Sequence, residues 1–75
     1  MNAQHYDCDR LKELREFRRL TQAEVADRLG VNRQTVYRAE AGVSASYELL
    51  CDLCALYQED VLTLLRPKPV EAMAA

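Results

Sequence analysis

The sequence predicts an all-α fold: a compact bundle of five helices with a tight helix-turn-helix at the second and third. Three observations predict it. Apolar residues recur at helical spacing through most of the chain. Polar residues suited to capping stand at the head of each such stretch. The 75 residues hold only two glycines and two prolines, too few for a turn-rich β fold. The length allows one domain with one thin core.

The first helix opens at Asp9, a good N-cap before Arg10, with Asp7 as the alternative. Leu11, Leu14 and Arg18 fall at i, i+3 and i+7, with Phe17 beside them, and carry the helix to about Arg19. Thr21 caps the second helix. Glu24, three residues on, completes a capping box in which each side chain accepts from an otherwise orphaned amide. Val25, Ala26 and Leu29 form its apolar stripe, and Gly30 suits a left-handed C-terminal position. Only Val31 separates Gly30 from Asn32, the cap of a third helix from Arg33 to Glu40 that ends near Gly42. Val36 and Ala39 can face inward there, whereas Arg33, Gln34, Tyr37 and Arg38 cannot all do so. Ser44 or Ser46 caps a fourth helix in which Leu50, Leu53, Cys54 and Tyr57 share a face. Asp60 caps a short fifth helix with Val61, Leu64 and Leu65 apolar, and Pro67 and Pro69 end helical structure. The resulting domain spans 9–66, with a lead-in at 1–8 and a flexible tail at 67–75.

The connection between the second and third helices is about three residues long. A turn this tight makes the helices cross steeply, and Ala26 is small enough to allow close approach. In this geometry the second helix of the pair can protrude into a DNA major groove. Its residues have matching chemistry. Arg33 can donate two hydrogen bonds to guanine, and Gln34 can pair bidentately with adenine. Arg38, one turn on from Gln34, can reach a base or a phosphate. Thr35 can meet a thymine methyl or a phosphate oxygen, and Tyr37 can bond a phosphate. Gln22, the first residue of the second helix, adjoins exposed amides suited to an anion.

Composition excludes several other classes. No apolar run approaches the roughly 20 residues of a membrane span. The first residues lack the basic start and apolar region of a signal peptide, so the expected compartment is the cytoplasm. Cys8, Cys51 and Cys54 make no disulfide framework. Cys51 and Cys54 have CxxC spacing but no second ligand pair, and they read as small buried hydrophobes. No metal or cofactor is expected. Nor is an enzyme, since the chain has one histidine, no paired carboxylates in a pocket-forming context and no glycine-rich phosphate loop. The net charge of −2 is unevenly spread. Residues 1–45 carry eight Lys/Arg against seven Asp/Glu, and residues 46–75 two against five. The span 31–39 holds Arg33 and Arg38 and no acid.

The segments Leu20-Thr21-Gln22-Ala23-Glu24-Val25-Ala26, Leu29 to Val36 and Tyr37 to Gly42 resemble the lambda-repressor-like (Cro/C1, XRE-type) DNA-binding family. Ser46 to Leu50 and Asp60 to Leu65 look like its fourth and fifth helices. The resemblance implies a third helix that recognises double-stranded DNA, with base contacts on Arg33, Gln34 and Arg38 and with Asn32 and Thr35 nearby. It places Gln22 on a phosphate and on a partner in the recognition helix. It also implies a structural ion pair between Arg15 and Glu40. Two features depart from the pattern. Arg19 stands where Gly or Asn often ends the first helix, and the loop 41–45 has no Lys or Arg.

The fourth helix is apolar nearly all round. Leu50, Leu53, Cys54 and Tyr57 can fill the core, which leaves Leu49, Leu56 and Leu62 as a surplus patch for a two-fold homodimer. The expected function is a transcriptional regulator on a palindromic operator, phage-type or like a restriction-modification controller. The alternative is an antitoxin-type module on the same fold that binds a protein partner.

Overall fold

The structure is a computed structural model that describes residues 6–65. Five helices follow one another: α1 (Cys8–Phe17), α2 (Gln22–Leu29), α3 (Arg33–Glu40), α4 (Tyr47–Tyr57) and α5 (Val61–Leu65). No strand occurs among the described residues. The tail expected at 67–75 and residues 1–5 of the lead-in lie outside them.

Each helix start is satisfied by a side chain, as orphaned N–H groups require. Asp7 accepts from Arg10 N at 3.1 Å. Asp9 was expected as the cap, but it lies in the first turn of α1. The helix starts earlier because its entry is pinned: Asp7 N–H donates to the Leu64 carbonyl at 2.8 Å, and Tyr6 Oη donates to the Ala39 carbonyl at 2.7 Å. Tyr6, Asp7 and Cys8 therefore belong to the fold rather than to a lead-in. The Thr21–Glu24 capping box is complete, with bonds of 3.1 and 2.8 Å. Asn32 caps α3, Ser46 rather than Ser44 caps α4, and Asp60 accepts from Leu62 N at the head of α5.

The first four helices all close in one way. A residue turns left-handed, and its amide and the next one bond back to carbonyls of the last turn. At α1 the left-handed residue is Arg19 (φ 56°), with Arg19 N to Glu16 O at 2.9 Å and Leu20 N to Arg15 O at 3.2 Å. At α4 it is Gln58 (φ 59°), with Glu59 N to Cys54 O at 2.8 Å. The chain's two glycines, Gly30 and Gly42, do the same after α2 and α3, at φ 70° and 76°. Helix α1 thus stops at Phe17 instead of Arg19, because Arg19 has already left the helical region.

The core is built from Leu11 and Leu14 of α1, Val25 and Ala26 of α2, Val36 and Ala39 of α3, Leu50, Leu53 and Tyr57 of α4, and Leu64 of α5. Three expectations need correction. Phe17 is 84% exposed, because Leu11, Leu14, Arg15 and Arg18 occupy the inward face and it falls off that face. Leu49 is buried, so it is a core residue and no part of a free dimer patch. It lines the groove between α3 and α4 with Val31, Thr35 and Ala45, a second side of α4 that the sequence left uncovered. Cys51 is only half-buried, whereas Cys54 is buried.

Tyr57 is fully buried, and its hydroxyl has no hydrogen-bond partner among the described residues. Burial pushes its phenol up to about 12 from the ordinary 10. Arg18 covers its ring at 5.4 Å and donates to the Leu14 carbonyl (2.9 Å) and the Tyr57 carbonyl, joining the ends of α1 and α4.

Two outcomes are expected. Arg19→Gly relieves a left-handed side chain and raises stability by about 1 kcal/mol, read as a higher midpoint in urea. For Tyr57, the folded state favours the neutral phenol, so its contribution is intact below pH 10 and is lost as the pH rises towards about 12. Tyr57→Phe flattens that alkaline loss, and at neutral pH it raises stability by about 1 kcal/mol by removing an unpaired buried hydroxyl. Thermal melts across the range measure both effects.

Candidate nucleic-acid interface

The site is built on α2 and α3, joined by the turn at Gly30, Val31 and Asn32. Val31 N bonds back to the Ala26 carbonyl at 2.9 Å, which closes α2 and turns the chain at once into the Asn32 cap. Val36, Ala39 and Glu40 then point inward and set the rotation of α3. Arg33, Gln34, Tyr37 and Arg38 consequently lie on the exposed side. Neighbours on that side are spaced three or four residues apart, so their ends share one surface.

The rotation is also held by charge. Glu40 and Arg15 are both buried. Arg15 Nε donates to Glu40 Oε2 at 2.6 Å, and a second guanidinium nitrogen donates to Oε1 at 3.0 Å. This two-pronged geometry is the strong form of an arginine–carboxylate pair. The bond to Glu40 raises the Arg15 pKa above its ordinary value. Arg15 further donates to the Leu20 carbonyl at 2.7 Å, and Gln22 Nε2 donates to Glu40 Oε1 at 3.1 Å. One carboxylate therefore links α1, the head of α2 and the end of α3.

Gln22 and Arg33 come together. With Thr21, Ala23 and Arg15 they line an open depression of about 340 Å³ at the head of α2. Thr21 N–H is taken by Glu24, whose carboxyl lies below its ordinary range because the Thr21 amide and hydroxyl bond to it. Among the described residues no group accepts from the Gln22 or Ala23 amides. Two backbone donors and a guanidinium in one depression suit an anion such as a phosphate. Asn32 is occupied as a cap, its Oδ1 accepting from Gln34 N at 2.9 Å. Thr35 is half-buried and lines the groove of about 390 Å³ between α3 and α4 with Arg38. Glu48 and Asp52 of α4 form the acidic side of that groove.

Leu62 is 55% exposed on α5 and Leu56 is half-buried on α4, so the surplus apolar surface is smaller than the three leucines expected. Arg18 and Tyr6 carry structural bonds that the sequence did not announce. Arg18 was visible as a position on the inward face of α1, but one of its carbonyl partners, Tyr57, lies 39 residues away at the end of α4. Tyr6 had a weak signal, since it precedes a cap and Leu11 follows at the spacing of a hydrophobic staple.

Among the described residues, no cluster of His, Cys, Asp or Glu is arranged to hold a metal ion, and no helix is long and apolar enough to cross a membrane. Residues 9–66 match a protein-family model described as a helix-turn-helix domain. No curated protein and no solved structure gives a significant match.

Replacing Arg15 with Met leaves Glu40 buried without its partner and costs about 3–5 kcal/mol. Adding Glu40→Leu removes the stranded charge and recovers most of that loss. Urea denaturation of the single and double variants gives the comparison.

Proposed function

We propose that this chain, which belongs to the helix-turn-helix domain family, is a DNA-binding regulator that recognises a specific duplex sequence through α3. One observation carries the reading: an exposed face bearing Arg33, Gln34, Tyr37 and Arg38 stands on a helix whose other face is locked by buried Val36, Ala39 and Glu40. In this reading Arg33, Gln34 and Arg38 meet base edges, where arginine pairs with guanine and glutamine with adenine. Gln22 and the amides at the head of α2 take a phosphate, with Arg33 close enough to share it. Thr35 and Tyr37 contact the backbone or a thymine methyl, and Asn32 acts by holding the head of α3.

The chain acts as a homodimer on a palindromic operator, in the manner of a phage-type repressor or a restriction-modification controller. Leu62 on α5 and half-buried Leu56 on α4 support the dimer, because exposed leucine surface gains from a second copy. The function needs no enzyme chemistry and no cofactor, and its setting is the cytoplasm, where the DNA is. A second reading, an antitoxin-type module with a protein partner, is favoured by one observation: Phe17 is almost fully exposed at the end of α1.

Selection of bound duplexes from a random pool tests the proposal. The expected result is a palindrome with half-sites about one helical turn apart, bound by a particle of dimeric mass. Arg33→Ala should lower affinity by about 1–3 kcal/mol and relax preference at one base of each half-site. Recovery of no consensus, or binding insensitive to salt, contradicts the reading and leaves the protein-partner alternative.

A further inference from the structure

The segment ahead of α1 makes contacts that capping does not require. Asp7 already caps α1 through its side chain. Its backbone N–H additionally donates to the Leu64 carbonyl, in the last turn of α5, at 2.8 Å. Its neighbour Tyr6 packs against the core and donates its hydroxyl to the Ala39 carbonyl, in the last turn of α3, at 2.7 Å. Cys8 lies against the bend that follows α3, where a β-carbon on Gly42 would stand only 3.1 Å from its sulfur. Three successive residues thus touch the ends of two helices far apart in sequence.

We propose that Tyr6 and Asp7 form a clip that couples α5 to the C-terminal end of α3, and that Tyr6 is a positioning residue for DNA recognition. The inference rests on the DNA-binding reading above and adds a regulatory geometry to it. Helix α5 carries Leu62 of the proposed dimer contact, and α3 carries the proposed base contacts. The distance between the two recognition helices of a dimer is then set through whatever ties α3 to α5. The clip bridges those two helix ends through two adjacent residues, Tyr6 bonded to α3 and Asp7 bonded to α5. The Tyr6 hydroxyl is a donor at neutral pH, and burial moves its pKa further up.

The clip also closes on the turn that follows α3, just past the Glu40 anchor. Gly42 N reaches the Ala39 carbonyl at 3.3 Å and Val43 N reaches the Arg38 carbonyl at 3.0 Å. A second donor on the Ala39 carbonyl fixes that turn against the body of the protein. Loss of the Tyr6 hydroxyl loosens the turn after α3, with Glu40 still anchored, and does not empty the core, because the ring remains.

The test is Tyr6→Phe in the full chain, compared with wild type in two measurements. The first is affinity for the selected operator and for versions with the half-sites moved one base pair closer or farther apart. The second is hydrogen exchange of the Gly42 and Val43 amides in the free protein. The expected variant is folded and dimeric with an unchanged salt slope, binds its best site about fivefold more weakly, and discriminates less between spacings. Its Gly42 and Val43 amides exchange about fivefold faster. A variant that keeps the wild-type spacing preference and exchange rates overturns the clip while leaving DNA binding intact. Wild-type protein that binds none of the duplexes overturns the DNA-binding reading itself, and the clip's role in recognition falls with it.

Discussion

The buried bond between Arg15 and Glu40 is the constraint on which the candidate interface depends. A carboxylate moved out of water is costly unless it is paired and hydrogen-bonded on all sides. Glu40 meets that demand with two bonds from Arg15 and one from Gln22. Because the three donors come from α1 and the head of α2, satisfying one charge orients three segments together. Such a pair adds little net stability compared with an apolar substitute. It admits few alternative arrangements, however, since any rotation of α3 that moved Glu40 would strand the charge. The opposite face of α3 is therefore presented in one orientation.

Most of the fold was legible because its signals are local. Thr21 with Glu24, Asn32 before Arg33 and Asp60 before Val61 are caps whose partners lie two or three residues away, and each does what its spacing implies. Gly30 marked the turn for the same reason. The errors arose where distant parts of the chain decide. Asp7 displaced Asp9 as the first cap because Leu64 and Ala39 hold the preceding residues in place. Phe17 turned outward because Arg15, a charged residue that hydrophobic patterning leaves on the surface, joins Leu11, Leu14 and Arg18 on the inward face of α1.

The candidate site was legible in the same uneven way. Which residues of α3 face out follows from Val36 and Ala39 facing in, a matter of helical period alone. That Arg33 shares a depression with Gln22 depends on the crossing of α2 and α3, which no spacing encodes. The apolar patch was overdrawn for a related reason. The pattern of α4 shows one covered side and leaves Leu49 surplus, but the groove beside Val31 and Thr35 buries its other side. Leu62 remains exposed because α5 turns Leu64, flanked by Val61 and Leu65, toward the core and leaves Leu62 off that face.

The central claim is that the exposed face of α3 touches base pairs of duplex DNA. Amide and side-chain NMR signals followed during titration with a selected duplex test it most directly. The largest shifts are expected at the side chains of Arg33, Gln34 and Arg38 and at the Gln22 and Ala23 amides, with α5 little changed by the DNA. Shifts confined to the surface around Phe17, with α3 unmoved, would contradict it.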